Sequence, residues 1–346
     1  MLEAWLNRRW YSPSAPLYLQ PFEWLYRAVI ALRRRSYSPG SRRIHVPDVP
    51  VVVVGNLTVG GTGKTPLVIA LTRALQSRGI RVGVISRGYG ASVAAPSLLS
   101  AHSDPAVFGD EPVLVARATE APVVVSPDRV AATALLAQRG MQIVISDDGL
   151  QHYRLGRALE IAVVDGVRGF GNGHLLPAGP LREPVARLAD ADWLVFNGSP
   201  AASTVAAVER VAQRRDRLKM QLAAVDARAL SGDRPARELS SFRAAPVHAV
   251  AGLGNPSRFF ATLREAGLEL IEHPFPDHHP FTAADLAFAE PGEILMTEKD
   301  GVKCASFADA RCWQVPVAAV CDEPGWSALL DQIEALARGV PVRFEN

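Results

Sequence analysis

Residues 51–65 read Val-Val-Val-Val-Gly-Asn-Leu-Thr-Val-Gly-Gly-Thr-Gly-Lys-Thr. The run Val46–Val54, ending in four valines, describes a strand buried on both faces. The turn Gly55–Gly63 follows, and it carries no Cβ at Gly60, Gly61 and Gly63. Its backbone N–H groups can therefore converge on phosphate oxygens. Thr65–Gln76 has helical spacing, which puts the turn at a helix N-terminus. In Thr58-Val59-Gly60-Gly61-Thr62-Gly63-Lys64-Thr65, Lys64 is expected to reach the β- and γ-phosphates of a nucleoside triphosphate, and the Thr65 hydroxyl to hold Mg²⁺. Thr58 stands where the usual pattern has its first glycine, but the strand before and the helix after the loop supply the context.

Outward from the loop the pattern repeats. Arg81–Ile85, Val123–Ser126, Gln142–Ser146, Glu160–Val164 and Trp193–Phe196 read as strands, with helices such as Asp128–Arg139 and Ala201–Gln213 between some of them. Short β-branched runs alternating with helices predict an α/β fold: a P-loop NTPase-type, mostly parallel sheet with helices on both faces. Residues 214–243 are polar and weakly periodic, and read as an inter-domain connection. Val247–Ala251 restarts the pattern as a second, smaller α/β domain over 244–346, with the core domain at 44–213.

The first 43 residues differ in kind. They hold Arg8, Arg9, Arg27, Arg33, Arg34, Arg35, Arg42 and Arg43 against Glu3 and Glu23 alone. Pro21 can open a helix. Phe22, Leu25, Val29 and Leu32 follow at helical spacing, beside Trp24 and Tyr26. Two readings fit: a helix lying in a membrane interface, or one docked on its own domain. The whole chain of 346 residues has a net charge of only +2, which does not suit a nucleic-acid binder. Its cysteines, Cys304, Cys312 and Cys321, form no C-x-x-C pair, so a reducing compartment is expected. No apolar run reaches the ~18 residues of a membrane span, and no secretory signal is read at the N-terminus.

Further motifs carry chemistry. Asp147 and Asp148 end the strand at 142–146, where an acid can anchor Mg²⁺; the sequence does not separate the two. Gly109-Asp110-Glu111-Pro112 offers a carboxylate to take or orient an acceptor proton. Asp277-His278-His279-Pro280 lacks zinc-ligand spacing and suits a turn, or one histidine facing a carboxylate. Arg87-Gly88-Tyr89-Gly90, Asn172-Gly173-His174 and Arg182-Glu183-Pro184 are polar turns, in which Arg87 and Arg182 suit an anionic substrate. Thr297-Glu298-Lys299-Asp300 completes the set.

Together these segments resemble the tetraacyldisaccharide 4′-kinase family of Gram-negative bacteria. The resemblance runs through Gly55-Asn56-Leu57-Thr58 to Pro66, Ser86–Gly90, Gly109–Pro112, Asp147-Asp148-Gly149-Leu150-Gln151-His152 and the run Asn172–Pro184. It continues through Gly252-Leu253-Gly254-Asn255-Pro256, Asp277-His278 and Thr297–Asp300. Leu150 stands where the family more often has an aromatic. The resemblance implies transfer of the γ-phosphate of ATP to the 4′-hydroxyl of an acylated glucosamine disaccharide 1-phosphate. It implies Asp110 as base with His278 beside it, and a peripheral place on the cytoplasmic face of the inner membrane, reached through the N-terminal helix within 1–43. Arg87, Tyr89, Glu111, Asn172, Arg182 and Glu183 are the expected substrate contacts. No obligatory protein partner is expected. Three alternatives to this reading are a switch ATPase acting on a protein partner at the membrane, a GTP-binding module and a non-catalytic scaffold. Against the first, Val59 holds the place of its early loop lysine; against the second, no N-K-x-D run is present.

Overall fold

The computed structural model describes residues 6, 9–12, 14–37, 43–88, 93–100, 102–213, 215–224, 226–231, 234–277, 279–289 and 291–339. Helix α1 (Gln20–Arg35) is followed by β1 (Val51–Gly55), α2 (Lys64–Ser77), β2 (Val82–Ser86) and β3 (Ser97–Leu99). Then come α3 (Pro105–Phe108), α4 (Asp110–Thr119), β4 (Val123–Val125), α5 (Arg129–Gln138), β5 (Ile143–Asp147) and β6 (Leu159–Asp165). β7 (Trp193–Asn197), α6 (Ala202–Glu209) and β8 (Asp216–Ala224) end the first pass. A second unit holds β9 (Arg228–Ala229), β10 (Val247–Ala251), α7 (Pro256–Glu265), β11 (Leu270–Pro274), β12 (Ile294–Thr297), α8 (Glu298–Cys304) and β13 (Cys312–Val315). β14 (Val317–Cys321) and α9 (Gly325–Ala337) close the described chain.

The large sheet has nine strands in the order β14-β8-β7-β6-β1-β5-β2-β4-β3. The seven strands from β8 to β4 run parallel, and β14 and β3 are antiparallel edges. One face packs on α2, α4 and α9 through Leu67, Leu71, Val113 and Leu329, and the other buries Leu136, Leu150 and Leu188. Strand β1 begins at Val51 rather than Val46. Pro47 and Pro50 carry no N–H for the ladder, and upstream only His45 makes an isolated bridge, to Leu155.

The second sheet has five strands, β11-β10-β12-β13-β9. It is inserted between β8 and β14, which pair antiparallel in the large sheet. Residues 216–224, expected within a connection, are thus a strand of the first domain. Helix α9 likewise returns to pack on its core. A pairing between segments so far apart leaves no mark on local periodicity.

Helix α1 lies on the first domain by its polar side. Glu23 is buried, pairs with the His174 ring at 2.7 Å, and accepts from the Leu175 amide at 3.1 Å and Arg27 at 2.7 Å. The Tyr26 hydroxyl donates to the Arg182 carbonyl at 3.0 Å, and Arg34 pairs with Asp190 at 2.6 Å. Phe22, Trp24, Leu25, Val29 and Leu32 face outward, Trp24 at 65% exposure. Docking therefore uses one side of the helix and leaves its apolar row open. Among the described residues no helix is long and apolar enough to cross a membrane.

Candidate active site

β1 sits between β5 and β6, and its register sets Val54 beside Asp147. The glycine-rich loop and the acid pair therefore leave neighbouring strand ends. Gly60 and Gly63 adopt φ of 100° and 90°, the left-handed region that favours glycine. A Cβ on Gly63 would fall 2.4 Å from the Asn197 amide nitrogen. Asn197, buried at the end of β7, donates to the Thr62 carbonyl at 2.8 Å and accepts from Arg258 of α7 at 2.7 Å. Arg168, held by Asp165 at 3.1 Å, donates to the Gly61 carbonyl at 3.0 Å. These contacts hold the Gly61 and Thr62 carbonyls in place just before the helix.

The run 172–184 braces the other side of the loop. The Val59 amide donates to the Pro180 carbonyl at 2.8 Å, the Arg182 amide to the Leu57 carbonyl at 2.7 Å, and Thr58 bridges Leu181. Asn172 closes this run on itself, donating to the Ala178 carbonyl at 3.0 Å. Lys64, the first residue of α2, donates to Asn56 at 3.0 Å and lies 3.5 Å from Asp148. Thr65 follows it in the first turn. The Thr62 hydroxyl is buried without a hydrogen-bond partner among the described residues.

The two acids at 147–148 differ. Asp148 has φ of 47°, a rare conformation for a residue with a Cβ. Its carboxylate takes two hydrogen bonds from Arg182, at 3.0 and 2.8 Å, while Arg129 donates to its carbonyl at 3.0 Å. Burial alone would raise its pKa, but Lys64 and then Arg182 hold it well below the usual range. Asp147 is buried, and among the described residues one of its carboxylate oxygens has no hydrogen-bond partner. Burial first, then the charge of Glu111, pushes it up to about 7. Gly149 fixes the turn: a Cβ there would lie 2.6 Å from the Ser146 hydroxyl.

Asp110 opens α4 and is buried. Two lysines of the second domain reach it, Lys299 and Lys303, each at 3.8 Å. Lys299 also pairs with Glu111 at 3.2 Å and Asp277 at 3.3 Å. Its pKa rises against the penalty of burial because Glu111, Asp110 and Asp277 surround it. Asp300 anchors α8 here, accepting from the Gly252 amide at 2.8 Å and pairing with Lys303 at 2.9 Å. The motifs at 109–112, 252–256, 277 and 297–300 thus meet at one inter-domain cluster.

Arg87 is exposed at the end of β2. Glu183 is fully buried and accepts from Gln151 at 3.0 Å and from the Tyr153 hydroxyl, so it braces the site from beneath. Tyr89 and His278 lie outside the described residues. Sequence reading gave no role to Lys303, Arg168, Asn197, Arg258 or Arg129. Lys299 stands out in the sequence only as part of Thr297-Glu298-Lys299-Asp300. The strand end at Asn197 was the one available signal, since ligands gather beyond such ends.

The family model for tetraacyldisaccharide-1-P 4′-kinase matches residues 15–335. A tetraacyldisaccharide 4′-kinase of Alkalilimnicola ehrlichii is 52% identical over 303 residues, 87% of each chain. The enzyme of that name from Nitrosococcus oceani is 49% identical over 314 residues, 90% of this chain and 88% of the other. Among solved structures, the "apo" form of LpxK from Aquifex aeolicus in complex with ATP matches with a TM-score of 0.76 and 28% identity. That match covers 97% of this chain and 99% of the other.

Proposed function

Because the chain belongs to the tetraacyldisaccharide 4′-kinase family, and is an ATP-dependent lipid kinase of lipid A biosynthesis, we propose how its residues carry the transfer. The γ-phosphate of ATP passes to the 4′-hydroxyl of a tetraacylated disaccharide 1-phosphate, giving lipid IVA. The relatives are kinases, and nothing favours the switch-ATPase alternative.

The observation that supports this assignment best is the adjacency of Lys64 and Asp148 at neighbouring strand ends. The loop amides and Lys64 bind the β,γ-phosphates. Arg182 fixes Asp148, which in turn holds Lys64 in place. Asp110 accepts the 4′-hydroxyl proton, with Lys299 and Lys303 balancing its charge. Because both lysines come from the second domain, the base is positioned only when the domains are together. Arg87 is the acceptor-side cation, Arg182 serves the phosphate side through Asp148, and Asn172 and Glu183 support the loops around the site.

Mg²⁺ fits these residues. Asp147 offers a buried, unpartnered carboxylate oxygen in a place crowded by Glu111 and Asp148, and Mg²⁺ favours one or two carboxylates with substrate phosphates. Asp147, rather than the arginine-paired Asp148, would hold it together with Thr65. When bound, the ion neutralises charge on the transferring phosphoryl group.

The open apolar row of α1 and its terminal arginines suit a membrane interface. The enzyme then works as a peripheral protein on the cytoplasmic face of the inner membrane. Incubation with γ-labelled ATP and the acylated disaccharide 1-phosphate in neutral detergent micelles tests the chemistry: label should enter the lipid, and release of free phosphate alone would refute it. For the helix, Leu25→Glu with Leu32→Glu should lower co-flotation with vesicles about ten-fold or more while micellar turnover stays near normal. Unchanged flotation would remove the membrane role.

A further inference from the structure

Beneath the last turn of α1 is a cavity of about 920 Å³, at the upper end of the roughly 300–1,000 Å³ of ligand sites. Pro50, Val51, Ala158 and Glu160 line it, so it lies at the N-terminal ends of β1 and β6. The phosphate loop leaves the opposite end of β1. The cavity is therefore separate from the kinase site.

Its charge is uneven: Arg34, Arg35, Arg157 and Arg187 face Glu160 and Asp190. Arg187 is buried and gives one amino group to both Glu160 oxygens, at 2.8 and 2.6 Å. Among the described residues its Nε and Nη1 make no hydrogen bond; Glu183 lies 4.0 Å from Nε and Asp190 3.5 Å from Nη1. Buried donors are almost always satisfied, so unused ones on a cation point to an anionic ligand. Arg35 stands exposed at the rim, with no ion partner among the described residues. Ile44, Val46 and Val49 add apolar wall.

The rim joins the open side of α1. Trp24, Ala28, Ala31 and Arg35 fall at i, i+4, i+7 and i+11, one stripe of the helix. It runs from an exposed tryptophan to Ala31 and Arg35, which with Arg34 are the α1 residues at the cavity edge. A ligand here has a phosphate for the arginines and an apolar part continuing along the stripe.

We propose that this cavity binds the phosphate headgroup of an anionic phospholipid. The source of that lipid rests on the membrane reading of α1; the chemistry of the cavity does not. Calorimetric titration of the full chain with dihexanoyl phosphatidylglycerol or dihexanoyl phosphatidylcholine, below their micellar concentrations, tests it without a bilayer. The anionic lipid should bind saturably and about ten-fold tighter. Arg35→Ala and Val46→Glu, both at exposed positions, should each weaken it about ten-fold. Arg33→Ala removes the same charge from the same helix end, outside the cavity, and should change it less than about two-fold.

Equal binding of the two lipids, or equal losses in the Arg33 and Arg35 variants, would overturn the proposal. So would displacement by equimolar inorganic phosphate, which would mark a plain anion site. A raised KM for the acylated disaccharide in Arg35→Ala, in neutral micelles free of anionic lipid, would assign the cavity to the acceptor instead and end the proposal. Wild-type turnover in those micelles reports on the kinase reading separately.

Discussion

The phosphate side of the site and the acceptor side are built on different plans. On the phosphate side, the loop, Lys64 and the acid pair come from adjacent strands of one parallel sheet, and Arg168 and Asn197, which brace the loop, lie in the same domain, with Arg258 of the second domain behind Asn197. On the acceptor side, Asp110 and Glu111 meet Lys299, Lys303 and Asp277 across the inter-domain boundary. Fixed backbone donors suit a ligand that must be held through the whole reaction. Asp110, the proposed base, with its balancing lysines on the other domain, suits a step that must wait until both substrates are in place.

Removing the proposed base should expose that division most sharply. Asp110→Asn is expected to lower kcat by about 10²–10⁴, with ATP affinity in equilibrium dialysis within about two-fold of wild type. A parallel loss of nucleotide binding would show that the two sides are not independent. Next in size is Lys299→Met, which removes the cation shared by Asp110, Glu111 and Asp277 and leaves Lys303 beside Asp110. Unbalanced buried charge is costly, so kcat should fall roughly ten- to hundred-fold, with Lys299→Arg recovering part. Full activity in Lys299→Met would mean that the inter-domain cluster is structural and takes no part in turnover.

The one cross-domain brace on the phosphate side gives a smaller effect. Arg258→Ala removes the partner of Asn197, which holds the Thr62 carbonyl. The KM for ATP should rise about three- to ten-fold with kcat nearly unchanged. A fall in kcat with unchanged KM would move Arg258 to the acceptor side of the comparison.

The same division governs what the sequence could disclose. The phosphate loop was legible because strand, turn and helix are contiguous, and because only glycine tolerates the φ of Gly60 and Gly63. Asp147 was legible as a strand end. Lys299 is 188 residues from Glu111, and nothing in its own motif names that partner. Arg129 sits in an ordinary helical stretch, and only the fold turns it toward Ser146 and Asp148. The second sheet interrupts the first between β8 and β14, so periodicity alone set the domain boundary before a strand that belongs to the core. On α1 the spacing showed an apolar row but not which side docks, since burying Glu23 runs against the usual fate of a glutamate.

The smallest effect concerns the turn that carries the acid pair. The His152 amide donates to the Gly149 carbonyl at 2.9 Å, and its ring Nε2 is buried without a hydrogen bond. Burial first, then Arg129 and Arg157, lowers its pKa to about 4. An unfolded chain has it near 6.5. Between these values the unfolded state binds the extra proton, so this residue makes stability rise with pH across that window. Its contribution is complete above about pH 6.5 and is lost as the pH falls toward about 4. Lowering the pH from 7 to 5 should cost the wild type roughly 2–4 °C in Tm from this residue, and His152→Gln should remove that part of the slope. Superimposable Tm–pH curves for the two proteins would mean that the ring is protonated in the folded state, and that the phosphate side tolerates another cation beside Arg129.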